Sequence, residues 1–215
     1  MRVAAVRPII SSDLLDVIST FTPLPEITAE DEAYIRGEFF PLEDLCLGRQ
    51  AHASDYRNRI RSGELPLPTY VIDSVEYYPS DYFLFPDSVE PGSNIKEAFL
   101  ARYRRIAAAY NESPSTNIVN QEYEGYLSGE YGVCLKMVTP ETIFLKEFVM
   151  TRIDELFENP KPFDGTWRSK LRGLVNRLDG LERQFAPCDT GRFGSLPSRV
   201  RYIDRARKEY PEAFA

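Results

Sequence analysis

The sequence predicts a mainly α-helical protein with a small β-hairpin. Two observations favour helices: apolar residues recur at steps of three and four in several segments, and helix-capping residues precede those segments. One observation predicts the hairpin. Strand-forming residues cluster at a single place in the first half of the chain, from Thr69 to Tyr78, with Asp73 and Ser74 at the bend.

Short helices are predicted before this hairpin. Ser12 can cap a helix over Asp13 to Phe21. Thr28, followed by an acidic residue three positions later, begins a second helix that runs from Ala29 to about Phe39. Proline is favoured at the first helical position, so Pro41 is predicted to open a third helix through Leu47.

The segment from Phe85 to Asn94 contains two prolines and a glycine, which favour a connecting loop. It predicts a boundary between an N-terminal module, residues 1–86, and a C-terminal helical domain, residues 87–215. Helical spacing and caps then predict five helices: Asn94 to Tyr110, about Ile118 to Leu127, Thr139 to Phe157, Leu171 to Phe185, and about Arg199 to Tyr210.

The composition is that of a globular protein, with 43% hydrophobic and 27% charged residues among 215. No apolar run approaches the roughly 18 residues that a membrane span requires. Pro8 interrupts the N-terminus before the core of a signal peptide could form. Three widely spaced cysteines suit free thiols rather than a disulfide framework. We therefore expect a cytoplasmic protein with no membrane partner.

Only one histidine, His52, is present. This excludes His-rich metal sites and leaves a Ser-His-Asp triad feasible around one position alone. An all-carboxylate Mg²⁺ site needs no histidine and is therefore not excluded. However, neither a calcium-loop motif nor a nucleotide-binding glycine motif occurs. The sequence therefore predicts no metal and no cofactor.

Charge is distributed unevenly along the chain. Between Arg168 and Lys208, eleven Lys and Arg residues face four acids, a local charge of +7. Because the net charge is −7, the remainder carries −14. The basic helices either dock on the acidic N-terminal body or present a basic face to an anionic ligand or nucleic acid.

The run RSGELPLP, Arg61 to Pro68, separates two predicted helices from the hairpin. This corner, and the order of elements from Pro41 to Tyr82, resembles the MerR and excisionase type of winged helix-turn-helix. The resemblance implies a winged-helix-like N-terminal module. In it, Leu42 to Leu47 would be the first helix, Ser54 to Ser62 the recognition helix, Gly63 its C-cap, and Tyr70 to Tyr78 the wing.

DNA binding by such a module requires cations near the phosphates. The resemblance places Arg57 and Arg61 on one face of the recognition helix, with Arg49 and His52 in the preceding turn. The wing region argues against this function. From Leu65 to Gly92 it has no Lys or Arg, but it has five acids: Asp73, Glu76, Asp81, Asp87 and Glu90.

The stretch from Glu122 to Glu147 combines several tyrosines with one thiol. Cys134, near Tyr131 and Lys136, is a candidate nucleophile whose pKa Lys136 could lower. The alternative is a buried cysteine on a short strand. The tyrosines, Tyr126 included, are either core aromatics with hydroxyls at the rim or a cage for a substrate.

This stretch, with Leu65 to Val71 and Phe185 to Gly194, is similar to an uncharacterised bacterial family whose members are labelled natural-product biosynthesis proteins. The resemblance implies a role in secondary metabolism and defines no catalytic residue. It favours a protein that binds or acts on a small anionic or amino-acid-like molecule at the domain junction. The candidate ligand residues are Tyr126, Tyr131, Cys134, Lys136, Arg168 and Arg172.

Two alternatives remain open. One is a winged-helix transcriptional regulator that binds DNA through Arg49, His52, Arg57 and Arg61. The other is a protein-interaction adaptor that uses the acidic segment from Glu26 to Asp44, with a protein partner or a second copy of the chain.

Overall fold

The computed structural model describes residues 27–191 and 196–215. Over these ranges the chain is mainly helical and carries a small antiparallel sheet of three strands. The predicted fold class, mainly α with a small β-hairpin, is confirmed. The helix predicted over Asp13 to Phe21 lies outside the described residues.

Helix α1, Ala29–Glu38, leads directly into strand β1, Phe39–Pro41. Thr28 caps α1 as predicted, because its hydroxyl accepts from the Asp31 amide while the Asp31 carboxylate accepts from the Thr28 amide. The other oxygen of this buried carboxylate accepts from the Cys188 amide at 2.7 Å. α1 is thereby tied to a segment near the end of the chain.

Strands β2, Tyr70–Ile72, and β3, Val75–Pro79, form the predicted hairpin. Asp73 and Ser74 have φ values of 50° and 68°, the left-handed conformation that tight hairpin turns require. β3 also pairs antiparallel with β1, which gives the order β1-β3-β2. β1 was not predicted, because three residues carry no periodic pattern and pair with a strand far along the chain.

Two short helices lie between β1 and β2. Helix α2, Leu42–Leu45, is shorter than predicted, and helix α3, Ala53–Arg61, lies close to the predicted Ser54 to Ser62. Gly63 follows α3 with a φ of 72°, and the next amide donates to the Arg59 carbonyl at 2.9 Å. Ser62 is therefore the C-cap, and Gly63, predicted as the C-cap, is the left-handed residue directly after it.

Helices account for most of the chain beyond the sheet. Side chains of Asn94, Ser115, Thr139 and Asp164 cap four of them. None of the helices within residues 27–191 and 196–215 has both the length and the apolar character needed to cross a bilayer. The helices are α4 Leu84–Asp87, α5 Ile95–Ala109, α6 Thr116–Leu127, α7 Tyr131–Cys134, α8 Pro140–Glu158 and α9 Gly165–Leu181.

The end of α9 departs from its sequence pattern. The apolar spacing continues to Phe185, but the helix ends at Leu181 because Glu182 is extended and pairs in an isolated antiparallel bridge with Leu135. A π-helix, Arg199–Asp204, then runs into α10, Arg205–Glu209, where a regular helix was predicted. Short 3₁₀ helices cover Pro187–Gly191 and Pro211–Ala213.

Among the residues that the structure describes, buried apolar side chains form three clusters. The first contains Leu42 and Tyr78 from the N-terminal part together with Phe99 and Phe144 from the helical part. The second joins α8, α9 and the C-terminal helices, and the third lies between α1 and the sheet. Apolar packing therefore crosses the position of the boundary predicted after residue 86, and the boundary itself stays a prediction.

Candidate functional site

A surface depression of about 420 Å³ lies where residues before and after this predicted boundary meet. α1 and the turn after β3 form one side, and the loops that precede α8 and follow α9 form the other. Its lining is polar and carries charges of both signs. The lining residues are Tyr34, Glu38, Ser80, Lys136, Arg183 and Gln184. Lys136 is one of the ligand residues predicted from the sequence.

The isolated bridge holds Lys136 and Arg183 close together. The Lys136 amide donates to the Leu181 carbonyl, and the Arg183 amide donates to the Cys134 carbonyl, both at 2.9 Å. These bonds fix the backbone on either side of the bridge. Two cationic side chains therefore reach the depression from one rigid contact.

Arg183 is almost fully buried, and its guanidinium is held on three sides. Nε donates to the Leu135 carbonyl at 2.9 Å, Nη2 lies 3.6 Å from Asp81 Oδ1, and Cζ lies 4.8 Å from the centre of the Phe39 ring. Burial raises the pKa of Asp81, while a hydrogen bond from the Val138 amide and the charge of Arg183 oppose that shift. Arg183 thus links the sheet region to the end of α9.

Lys136 is exposed, and within the described residues its ammonium contacts neutral acceptors only. Nζ donates to the Asp179 carbonyl at 2.9 Å and to the Gly180 carbonyl at 3.2 Å. These carbonyls belong to the last turn of α9, where unpaired carbonyls and the helix dipole favour a cation. A ligand carboxylate would offer this ammonium a stronger, charge-assisted hydrogen bond.

Tyr34 and Glu38 lie one turn apart on α1, and both line the depression. The Tyr34 hydroxyl donates to the Gln184 carbonyl, and burial raises the pKa of Tyr34 to about 12, so this phenol stays protonated at neutral pH. Glu38 is exposed and forms no ion pair with another residue of the described ranges. Its carboxylate can therefore accept a ligand cation.

A second polar group lies buried beside the bridge. Lys146, on α8, donates from Nζ to Cys134 Sγ at 3.2 Å and lies 3.8 Å from Glu182 Oε1. The Ser198 hydroxyl donates to the same carboxylate oxygen, whereas Glu182 Oε2 has no hydrogen-bond partner in the part of the chain that is described. Cys134, Lys146 and Glu182 are all buried, and we call them the buried triad.

Burial and the charges within the buried triad act in opposite directions on the pKa values of its members. Burial raises the pKa values of Cys134 and Glu182, and the Lys146 charge opposes both shifts. Burial would lower the pKa of Lys146, but Cys134 and Glu182 outweigh it and hold that pKa above its ordinary value. The ammonium is thus the fixed charge, and it lies between the thiol and the carboxylate.

The structure gives Cys134 a different neighbour from the one considered in the sequence. Lys146 contacts the thiol, whereas the Lys136 ammonium binds carbonyls at the end of α9. Cys134 closes the one-turn helix α7, and Leu135 after it forms the bridge. The thiol is buried, but it does not lie on a strand.

Tyr126 and Tyr131 are packed into the protein. Tyr126 is 2% exposed, and its ring lies 5.3 Å from that of Phe99. The Tyr131 hydroxyl donates to Glu122, a carboxylate whose pKa is raised by burial. Neither tyrosine lines the depression. Their packing matches the core-aromatic interpretation more closely than a substrate cage.

Arg168 and Arg172 lie in the first half of α9, far from the depression. Arg172 Nη1 donates to the Ala215 carbonyl at 3.3 Å. An α-helix rises about 1.5 Å per residue, so Arg168 lies roughly 20 Å along α9 from Leu181, which is near the depression. The structure therefore does not bring these arginines together with Lys136.

The four candidate DNA contacts lie around α3, and two of their arginines are paired with acids. Arg57 binds Glu43 and Glu76, each at 2.8 Å, and Arg49 forms an ion pair with Asp87. Arg61 is exposed and donates to Asn58 at 3.2 Å. His52 is exposed at the start of α3. Acids of the wing region, which the sequence suggested would repel DNA, thus also form ion pairs with Arg57 on α3 and with Arg49 before it.

Sequence reasoning missed Lys146, Glu182 and Arg183. A signal for Lys146 was present, because it lies on the apolar stripe of α8 between Ile143 and Val149, where a charged side chain needs a buried counter-charge. Glu182 and Arg183 were missed because the apolar spacing of α9 continues past them to Phe185, which predicted a helix at both positions. Only the bridge to Leu135 shows that the chain is extended there.

Fold and site together define a mainly helical protein with a small sheet and a polar depression where its two parts meet. Residues 95–211 match the family of unknown function DUF6058. The match covers more than half of the chain, and the chain belongs to this family. The expectation of an uncharacterised family is confirmed. No curated protein and no solved structure matches the chain.

The family segment contains the complete buried triad together with Lys136 and Arg183. Tyr34, Glu38 and Ser80, which complete the depression, precede it. The depression is thus shared between the family segment and the N-terminal part of the chain.

Proposed function

We propose that this protein binds a small amino-acid-like molecule in the depression, as part of a cytoplasmic pathway of bacterial secondary metabolism. The observation that carries the proposal is that charges of both signs line the depression. Lys136 and Arg183 supply cations, and Glu38 supplies a carboxylate. A zwitterion carries both complementary charges in one small molecule.

Each end of such a ligand has a suitable group to bind. Its carboxylate would accept hydrogen bonds from Lys136, whose present acceptors are neutral carbonyls, and from the edge of Arg183. Its ammonium would bind Glu38, with the Tyr34 hydroxyl and the Gln184 side chain beside it. The volume of about 420 Å³ lies within the usual range for small-molecule sites.

Small-molecule binding is favoured over binding of duplex DNA by the ion pairs around α3. Phosphate contacts need cations that are free to replace counterions. Arg57 is already bound to two carboxylates and Arg49 to one. A winged-helix regulator therefore remains the second candidate, and Arg61 would be its main exposed cation on α3.

Isothermal titration calorimetry tests the proposal with a panel of free amino acids, their N-acetyl and C-amide derivatives, and simple carboxylates. We expect at least one free amino acid to bind with a Kd below about 1 mM. Blocking either of its charged ends should weaken binding about tenfold or more, which is roughly 1.4 kcal/mol.

Two substitutions, each removing one charge from the depression, complete the test. Lys136→Met and Glu38→Gln should each weaken the same ligand about tenfold. Lys170→Met, which removes an exposed lysine from the distant half of α9, is the matched control and should leave the affinity unchanged. No binding by any member of the panel, or binding that neither substitution weakens, would overturn the proposal.

A further inference from the structure

The buried triad does not line the depression and takes no part in the proposed ligand binding. It places an amine, a thiol and a carboxylate out of solvent, at 9%, 5% and 0% exposure. The stability of the fold does not require this arrangement, because well-packed apolar side chains can often replace a buried ion pair without loss of stability. The contact between a nucleophilic sulfur and a nucleophilic nitrogen points instead to chemistry.

We propose that Cys134 and Lys146 form a redox-responsive pair, in which peroxide oxidises the Cys134 sulfur and the Lys146 nitrogen then captures it as a sulfur–nitrogen cross-link. Two independent observations carry this inference. Nζ of Lys146 lies 3.2 Å from the sulfur, within reach of bond formation after a small shift. Glu182, fully buried, has one carboxylate oxygen without a hydrogen-bond partner among the described residues, and that oxygen can take up a proton.

Glu182 is placed to receive the thiol proton through Lys146. After this transfer the thiolate lies 3.2 Å from the ammonium, closer than the 3.8 Å between the ammonium and the carboxylate. The net charge of the buried triad stays at zero, because one buried anion replaces another. The transfer therefore creates no unpaired charge in the interior, which would be costly.

Oxidation follows at sulfur. The thiolate attacks one oxygen of hydrogen peroxide, so that an S–O bond forms and the O–O bond breaks. The departing hydroxide takes the proton held by Glu182 and leaves as water. Sulfur loses two electrons, peroxide gains them, and the product is a sulfenic acid.

Condensation with the amine completes the link. Lys146 passes a proton to Glu182, and the free amine attacks the sulfur, forming the S–N bond as the S–O bond breaks. The departing hydroxide takes a proton from the attacking nitrogen and leaves as water, and Glu182 releases its proton. Sulfenic acids condense with nitrogen nucleophiles in this way. Overall, the thiol, the ammonium and one peroxide give the cross-link, two waters and one proton.

Burial makes the reaction slow and selective. A thiol that is protonated and out of solvent reacts less readily than an exposed thiolate. The reaction requires that peroxide, a small molecule, reach the buried sulfur, whereas larger cellular thiols are excluded and cannot intercept the sulfenic acid. The neighbouring amine is then the nucleophile closest to the oxidised sulfur.

Intact-mass spectrometry and peptide mapping of the full wild-type chain, before and after treatment with hydrogen peroxide, test the proposal. We expect a product lighter by about two hydrogens. Its digest should contain the Cys134 peptide joined to the Lys146 peptide, and dithiothreitol should separate them. Cys46, which is only partly buried, reports oxidation of an ordinary thiol in the same sample.

Lys146→Arg is the matched variant, because it keeps a cation beside the sulfur but lacks the lysine amine. We expect it to stop at the sulfenic acid, with no cross-linked peptide; dimedone traps that acid when the oxidised chain is unfolded in urea. Glu182→Gln should slow cross-linking about tenfold or more, because the proton acceptor is lost. If a variant fails to fold, as judged by thermal unfolding, peptide mapping of the wild-type chain decides alone.

Two outcomes would overturn the inference. One is Cys134 that gains one or more oxygens in the wild-type chain while Lys146 stays unlinked. The other is Cys134 that stays unmodified when Cys46 has been oxidised. Both readouts are independent of ligand binding in the depression, so the proposed function can fail while this inference stands.

Discussion

The helical part of the molecule pairs charges in its interior as well as near its surface, whereas the described ion pairs within the N-terminal part lie near the surface. In the N-terminal part, pairing occurs near the surface and joins separate elements, as when Arg57 binds Glu43 and Glu76. In the helical part, Arg199 and Arg207 share Asp179, and Lys146 lies near Glu182 in the interior. Surface pairing removes cations that a DNA-binding surface would need, whereas interior pairing holds a thiol beside an amine.

The two parts meet through little direct ion pairing. The sequence suggested that the basic helices dock on an acidic body, and the structure shows one ion pair of this kind within the described ranges, between Arg183 and Asp81 at 3.6 Å. Apolar packing, including the contact of the Phe85 and Phe99 rings at 5.9 Å, joins them instead. Apolar contacts therefore join the two parts more than ion pairs do, whereas charged side chains line the depression at the junction.

The largest effect is expected from breaking the interior pair. Lys146→Met leaves Glu182 buried without its cation and should lower the free energy of unfolding by about 3–5 kcal/mol. Urea denaturation at pH 7 measures this loss. The double variant Lys146→Met/Glu182→Gln should lose clearly less than the two single variants combined. Additive losses would show that the two groups are not coupled.

The next effect tests the backbone contact between the two parts. Gly129 has a φ of 76°, and a Cβ atom there would lie 2.5 Å from the Leu67 carbonyl oxygen. Gly129→Ala should therefore cost about 3 kcal/mol in the free energy of unfolding. Gly173→Ala, on α9, is the control and should be neutral or stabilising by up to about 1 kcal/mol, because the added carbon would contact no other part of the described chain within 4 Å apart from the adjacent backbone of its own helix. Equal effects of the two substitutions would contradict the contact.

A smaller effect distinguishes the arginines of α3. Arg57→Ala removes two ion pairs and should cost about 1 kcal/mol, whereas Arg61→Ala, at an exposed site, should stay within about 0.5 kcal/mol. Chemical denaturation measures both. In addition, the wild-type chain should not be retained on immobilised duplex DNA at about 50 mM salt. Salt-sensitive retention that is lost when both arginines are replaced would favour the regulator.

The smallest effect concerns an ion pair inside the helical part. Arg102 binds Glu141 at 2.7 and 2.8 Å. Burial would raise the pKa of Glu141, but the hydrogen bonds with Arg102 outweigh it, so the pKa lies below its ordinary value of 4.5. The stabilisation is therefore complete above about pH 4.5 and is lost as the pH falls through the lowered pKa.

The variant Glu141→Gln tests this pH dependence. At pH 7 the variant should be less stable than the wild type by about 1 kcal/mol in urea denaturation, because a partly buried, bidentate pair is lost. The difference should shrink as the pH is lowered below about 4. A difference that grows towards acid pH would mean that Arg102 does not stabilise the ionised form of Glu141.

Elements specified by nearby residues were predicted well. The caps at Thr28, Asn94 and Thr139 were recognised because the side chain and the amide that it accepts from are three residues apart. The Asp73–Ser74 turn was recognised for the same reason, since its residue types suit the bend that they form. Strand β1 and the end of α9 were not, because each depends on pairing with a distant segment.

In the candidate site, too, the prediction succeeded where nearby residues carried the signal and failed where distant segments meet. Lys136 was selected because it lies in an unusual local stretch, and it does line the depression. Arg168 and Arg172 were selected for charge alone, and the length of α9 separates them from it. Lys146 and Glu182 were missed, because one looked like an interruption of an apolar stripe and the other like the continuation of a helix.

The sequence by itself determined the helical character of this protein, its hairpin and its uneven charge, since each depends on residue types and short spacings. Only the tertiary structure decided which charges meet: Glu38 and Lys136 in the lining of the depression, and Lys146 against Cys134 beside Glu182. The physical reason is that electrostatic and hydrogen-bond energies depend on distance in space, and the chain brings these groups together only when α1, α8 and the end of α9 pack around the bridge.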